Sequence, residues 1–120
     1  MTPDGAVAQT RCLQMLGLAA RAGRLNVGSD AVLASIRAGK ARLVLLATDA
    51  GSNSEKKFRD KCAFYHIPLA QVYDRDQMGR ACGRSHSVAV AVTDPGFAVK
   101  IAGLVGEFSG GDAFDETAGI

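Results

Sequence analysis

Cys82 and His86 stand four apart in the stretch "CGRSH". At that spacing one helix face would hold a thiol against an imidazole for nucleophilic catalysis. Gly83 lies between them and breaks the helix that the pairing needs. The pattern therefore reads as a buried cysteine followed by a solvated histidine. His66 is the other histidine, and the acids are scattered, with no helix-spaced pair in an apolar setting. The cysteines, Cys12, Cys62 and Cys82, are odd in number and lack CxxC spacing. That argues against a disulfide frame and against a zinc site. No catalytic residue, metal ligand or cofactor is expected.

Two glycine loops offer a different chemistry. "GRLNVGS" at Gly23–Ser29 has the glycines and the serine of a phosphate loop but no lysine before the serine. Without that charge on the β- and γ-phosphates, an NTPase reading loses its support. "GRACGRS" at Gly79–Ser85 has the wrong spacing and arginine in place of lysine, and no G-x-G-x-x-G occurs. What remains is arginine among small residues at helix ends, where a phosphate backbone can come close to side-chain forks and main-chain N–H groups. The first loop supplies Arg21, Arg24, Asn26, Gly28, Ser29 and Asp30. The second supplies Arg80, Gly83, Arg84, Ser85 and His86. For either loop alone the reading as a helix cap with solvated arginines prevails; two such loops on a basic domain without an active site favour nucleic acid.

The charge is uneven along the chain. Five of the 12 acids, Asp4, Glu107, Asp112, Asp115 and Glu116, lie outside residues 11–106, whereas all 14 bases lie within them. The middle therefore carries a net +7. So basic a segment fits a polyanion partner, and it also fits a solvated surface. The longest apolar runs, "LVLLA" and "VAVAV", are too short to span a membrane, and the first ten residues lack a signal peptide's features. A cytoplasmic, monomeric protein with no membrane partner is expected.

The elements that must position the loops follow from periodicity. Leu13, Leu16, Ala19 and Ala20 have helix spacing, closed by Gly23. "RLNV" reads as a short strand. Ser29 or Asp30 then caps a helix with Val32, Leu33 and Ile36 on one face, ended by Gly39. "ARLVLLATD" and "SVAVAVTD" read as inner strands, covered on both faces. "SNSEKKFRDKCAFYH" opens with a capping box, Ser52 to Glu55, and carries a buried stripe of Phe58, Cys62 and Tyr65. "PLAQVY" is a strand and "RDQMGRACG" a short helix. "DPGFAVKIAGLV" is a last helix with Asp94 as cap and Pro95 in its first position. Strands alternating with helices in 120 residues imply one three-layer α/β/α sandwich. It should span residues 11–106, between a flexible segment 1–10 and an acidic, disordered tail 107–120.

The segments "LGLAARAGRLNVGSDAVLASIRAGKARLVLLATDAGSNSEKKFRDKC" and "IPLAQVYDRDQMGRACGRSHSVAVAVTDPGFA" resemble the kink-turn-binding superfamily of ribosomal proteins L-seven-Ae and L-thirty-e, and within it the bacterial YlxQ-like branch. The resemblance implies an α/β/α sandwich with a small mixed sheet, no catalysis, binding to structured RNA and a link to the ribosome. The alternatives it leaves are a protein-interaction module on the same scaffold and an accessory domain of an RNA-modifying system. RNA readers of the superfamily grip with the start of the second helix and a later glycine loop, here Gly28–Ala34 and Met78–His86. By that resemblance Arg24, Arg80 and Arg84 share one surface, and the N–H groups of Gly28 and Ser29 are open to phosphate. Kink-turn readers carry Asn-Glu or Lys-Gln after the glycine turn and a lysine three residues on; this chain has Asp30-Ala31 and Ala34.

Overall fold

The computed structural model describes residues 3–109. Nine elements follow in order: α1 (Pro3–Arg21), β1 (Leu25–Val27), α2 (Ser29–Arg37), β2 (Leu43–Leu46), α3 (Ser52–Tyr65), β3 (Leu69–Gln71), α4 (Arg75–Ala81), β4 (Ala89–Val92) and α5 (Pro95–Ser109). The strands form one mixed sheet in the order β1-β4-β2-β3. β4 runs antiparallel to both neighbours, and β2 runs parallel to β3.

β2 and β4 are inner strands, and all eight of their residues are buried. Successive side chains of a strand point to opposite faces, so each strand feeds two cores. Leu43, Leu45, Val90 and Val92 pack with Cys12 and Leu16 of α1, Met78 of α4, and Ile101 and Val105 of α5. Val44, Leu46, Ala89 and Ala91 pack with Val32 and Ile36 of α2 and Phe58 and Cys62 of α3. Three helices cover one face and two the other, the layering expected from the sequence.

Several helix boundaries move. α1 starts at Pro3, so the boundary placed after residue 10 falls inside a helix. Ala8 is buried there, and the Tyr73 hydroxyl donates to the Gln9 carbonyl at 2.8 Å. α5 continues through Ser109, which takes Glu107 and Phe108 out of the supposed tail; the Phe108 ring lies 5.7 Å from that of Tyr73. The remaining tail acids, Asp112, Asp115 and Glu116, lie outside the described residues. α3 is capped by the extended Gly51 and has no side-chain cap, which corrects the Ser52 capping box. Ser52 is already helical, and the Glu55 carboxylate stands 3.7 Å from Arg59 instead. Tyr65 is 39% exposed, so the buried stripe of α3 ends at Cys62. The chain turns left-handed at His66, and Ile67 takes the buried place. The capping box of this fold is on α4, where Asp74 accepts the Gln77 N–H at 2.7 Å and the Gln77 side chain accepts the Asp74 N–H at 3.1 Å. Asp94 caps α5, accepting the Phe97 N–H at 2.9 Å.

The 83–87 loop folds back along α4. The Arg84 N–H donates to the Gly79 carbonyl at 2.8 Å and the Ser87 N–H to the Arg75 carbonyl at 2.9 Å. That path needs a bare α-carbon at Gly79, because a Cβ there would sit 2.6 Å from both N and C of His86. Main chain cannot yield as a flexible side chain does, so Gly79→Ala should cost about 2–3 kcal/mol by overpacking. Gly103, inside α5 with open space where its Cβ would stand, should behave oppositely. Gly103→Ala is expected to stabilise by about 0.5–1 kcal/mol through helix propensity. Urea denaturation of the two variants checks both signs.

Candidate nucleic-acid interface

The start of α2 is set by Gly28, at φ 102° and ψ 154°. That region is essentially open to glycine alone. Its carbonyl accepts the Val32 N–H at 2.9 Å, and its own N–H donates to the Ala89 carbonyl at 3.0 Å. The Gly28 N–H is therefore engaged by the sheet and not open to phosphate, a correction to the sequence reading. Neither Ser29 nor Asp30 caps the helix; no side chain does. Asp30 is an exposed acid in the first turn, where it complements the positive helix end. The N–H groups from Ser29 to Ala31 precede the first intrahelical bond and face out of the helix end.

The bond from Gly28 to Ala89 joins the two glycine loops, because Ala89 follows the 83–87 loop by two residues. The Ser87 hydroxyl donates to the same Ala89 carbonyl at 2.8 Å, which makes it a two-donor junction. Around it Arg84, Ser85 and His86 are all exposed, with Ser85 Oγ 3.2 Å from His86 Nδ1. Arg21, Arg80 and Gly83 line an adjoining groove between α1 and α4. Its walls approach closely: a Cβ on Gly17 would meet the Ala81 carbonyl oxygen at 3.3 Å and Arg21 Nη1 at 3.8 Å.

Arg24 stands away from the Gly28–Ala89 junction. The Arg24 carbonyl accepts from the N–H and the hydroxyl of Thr93 at 2.9 and 3.0 Å, just past the far end of β4. Arg24 and Gly28 are separated by β1, and four residues of extended chain span about 13 Å. Close in sequence, they stand at opposite ends of the sheet. Asn26 pairs with Ala91 in β1 and, by strand alternation, points to the α2 and α3 side.

The thiol–imidazole pair is not assembled. Cys82 is buried, and burial pushes its thiol up to about 11, with the positive charge of Arg84 opposing the shift. A thiol so raised is protonated at neutral pH and is a poor nucleophile. All three cysteines are free and buried. Among the described residues no His, Cys, Asp and Glu cluster could hold a metal ion, and no helix is long and apolar enough to cross a membrane.

Sequence reasoning missed what fixes α4. Its capping box was legible as Asp74-x-x-Gln77. The tie to the end of β2 was not: Arg75 donates from its N–H to Asp49 Oδ1 at 3.0 Å and from Nη2 to the Asp49 carbonyl at 2.7 Å. Those partners are 26 residues apart.

The model of the ribosomal protein L7Ae/L30e/S12e/Gadd45 family matches residues 10–102. The chain belongs to this family. It is 47% identical over 91 residues to the RNA-binding protein YlxQ of Bacillus subtilis, covering 76% of this chain and 91% of that one. It is 33% identical to the large ribosomal subunit protein eL30 of Yarrowia lipolytica, over 68% of this chain and 76% of that one. Among solved structures, a Bacillus halodurans protein of unknown function superposes with a TM-score of 0.78 at 43% identity, over 80% of this chain and 97% of that one. The Giardia lamblia 15.5kD RNA binding protein superposes with a TM-score of 0.70 at 20% identity, over 92% of this chain and 98% of that one, and so shares the fold.

The Cys82 thiol gives a pH prediction. Its folded pKa lies above the ordinary 9.0, so the folded state prefers the protonated thiol. That contribution is complete below pH 9 and is lost as pH rises through about 11. The Cys12 thiol is also raised, mainly by burial, and acts in the same direction. Denaturation midpoints should fall from pH 9 to pH 11, and Cys82→Ala should make the fall shallower. An identical slope in that variant would show that Cys82 contributes nothing to it.

Proposed function

We propose that this protein binds structured RNA without catalysis, through the surface formed by the start of α2 and the 83–87 loop. The observation that carries this reading is the hydrogen bond from Gly28 to Ala89, which makes one surface of two separate segments. On it Arg84, Ser85, His86 and the first N–H groups of α2 meet the phosphate backbone, and Arg21, Arg80 and Gly83 extend the contact along the groove. The RNA-binding names of the Bacillus subtilis and Enterococcus faecium relatives support the class of partner. The RNA is ribosomal or another structured non-coding species, bound by a monomer.

Ala31 and Ala34 are both exposed on α2. They occupy the positions where kink-turn readers of the superfamily hold base-reading side chains. A methyl group offers a base edge no hydrogen bond, so the contacts here position RNA and do not specify its sequence. A protein-docking role on the same scaffold is the second reading, favoured by Leu18 and Val99, which stand exposed on either side of an α1–α5 groove.

Salt dependence separates the two readings. With about four to six phosphate contacts, log K should fall against log salt with a slope of roughly −3 to −5. Arg84→Ala should weaken RNA binding by about 0.5–1.5 kcal/mol, alike across sequences. The unmodified protein should bind a kink-turn about as well as a matched duplex with an unrelated bulge. Ala31→Glu with Ala34→Lys should favour the kink-turn by about 1–3 kcal/mol. Fluorescence anisotropy on both RNAs measures all of these; affinity independent of salt would defeat the RNA reading.

A further inference from the structure

The opposite end of the sheet carries a second surface of different make. Here α2 ends, β2 begins and α3 ends. Arg37 closes α2, Lys40 and Arg42 follow before β2, and Tyr65 and His66 close α3. Gly39, Arg42, Tyr65, His66 and Pro68 line one cleft. The Arg42 N–H donates to the Val92 carbonyl at 2.7 Å, and Arg24 holds the next residue, Thr93. Arg24 thus belongs to this end.

The charge here is unusually free. Arg24, Arg37, Lys40 and Arg42 are all exposed. Among the described residues no salt bridge engages any of them. Of the acids nearest along the chain, Asp30 stands in the first turn of α2, at the other end of that helix, and Asp49 holds Arg75. Asp60 holds Lys56 at 2.9 Å, Glu55 stands 3.7 Å from Arg59, and Asp94 caps α5. Beside these cations stand two aromatic rings that the core does not use. Phe64 is 75% exposed, and its ring meets that of Tyr65 edge-on at 5.0 Å. An exposed phenylalanine loses hydrophobic stabilisation, and this ring packs on Tyr65 and in neither core.

Unpaired guanidinium and ammonium groups next to exposed aromatic rings form the surface that holds single-stranded nucleic acid. The cations track the backbone, and the rings take unstacked bases on their π-faces. We propose that this end, built on Arg42, Tyr65 and Phe64 and flanked by Arg24, Arg37 and Lys40, is a second RNA contact that takes a single-stranded segment. An acidic peptide would use the same charge, but it would leave both rings without a stacking partner. With the folded part of an RNA at the loop end, a flanking strand has to pass only about 13 Å of sheet to reach this end. The inference does not rest on the loop surface: its chemistry is present whether or not that surface binds.

A labelled twelve-nucleotide oligouridine, which has no stable fold, and an RNA stem-loop without single-stranded tails separate the two ends by anisotropy. Arg42→Ala with Tyr65→Ala should weaken oligouridine binding about tenfold or more, the loss that removal of one stacked base brings. The same variant should leave stem-loop binding within about twofold. Tyr65→Phe keeps the ring and should keep oligouridine affinity. Arg84→Ala should show the reverse pattern, with loss on the stem-loop and little change on oligouridine. Both altered residues of the double variant are exposed, and an unchanged melting temperature verifies its fold. Oligouridine affinity equal to the parent's in the double variant overturns the proposal. Polyglutamate of equal charge that displaces oligouridine as well as unlabelled oligouridine does also overturns it, in favour of an acidic protein partner. Failure of Arg84→Ala to affect the stem-loop would count against the loop surface alone.

Discussion

The antiparallel pairing of β2 with β4 is the constraint on which the rest of this fold depends. Each strand is four residues long, and neither has a side chain in water. A strand so apolar has no solvent face, and the sheet must be covered on both sides. Alternation then decides the layers: Leu43, Leu45, Val90 and Val92 call for α1, α4 and α5, while Val44, Leu46, Ala89 and Ala91 call for α2 and α3. β1 and β3, with three residues each, extend the pair at its edges.

The proposed RNA contacts lie where this rigid middle stops. At one end the chain enters β4 through the 83–87 loop and leaves β1 through Gly28, and both segments meet on the Ala89 carbonyl. Two glycines make the meeting possible for different reasons. Gly28 supplies a backbone conformation that a side chain resists, and Gly79 supplies space for the His86 main chain. The arginines themselves need little support. They stand at the surface because the backbone beneath them is fixed, and an anchored loop holds charge in place at a lower entropic cost than a free one.

The two ends of the sheet differ in their chemistry. The loop end combines arginine with glycine and serine, so a phosphate backbone can approach main-chain donors. The far end combines arginine and lysine with exposed aromatic rings. Half of the 14 bases stand at these two ends, Arg21, Arg80 and Arg84 at one and Arg24, Arg37, Lys40 and Arg42 at the other. Surface ion pairs such as Lys56 with Asp60 contribute little to stability. In the proposed function, the exposed cations at the sheet ends serve RNA instead.

Much of the architecture was legible in the sequence. "LVLL" and "VAVAV" could only be inner strands, and the glycines after helical runs marked their ends, because both signals are local. The fold class and the pairing of glycine with arginine at helix ends follow from such local physics. Boundaries that tertiary contact sets were not legible. α1 extends back to Pro3 because Ala8 has a core to enter and Gln9 a hydroxyl to accept, and both partners are remote in sequence. Ser52 makes a proper capping sequence with Glu55, yet Gly51 takes the cap, since the helix begins where the chain leaving β2 turns. Arg24 looks like part of the Gly28 loop in the sequence. A three-residue strand between them sends it to the other end of the sheet, because extended chain converts a short separation in sequence into a long one in space. The sequence alone determined which residues carry charge and which must be buried. Only the tertiary structure decided which charges stand together, because that depends on strand direction and register, which non-local pairing sets.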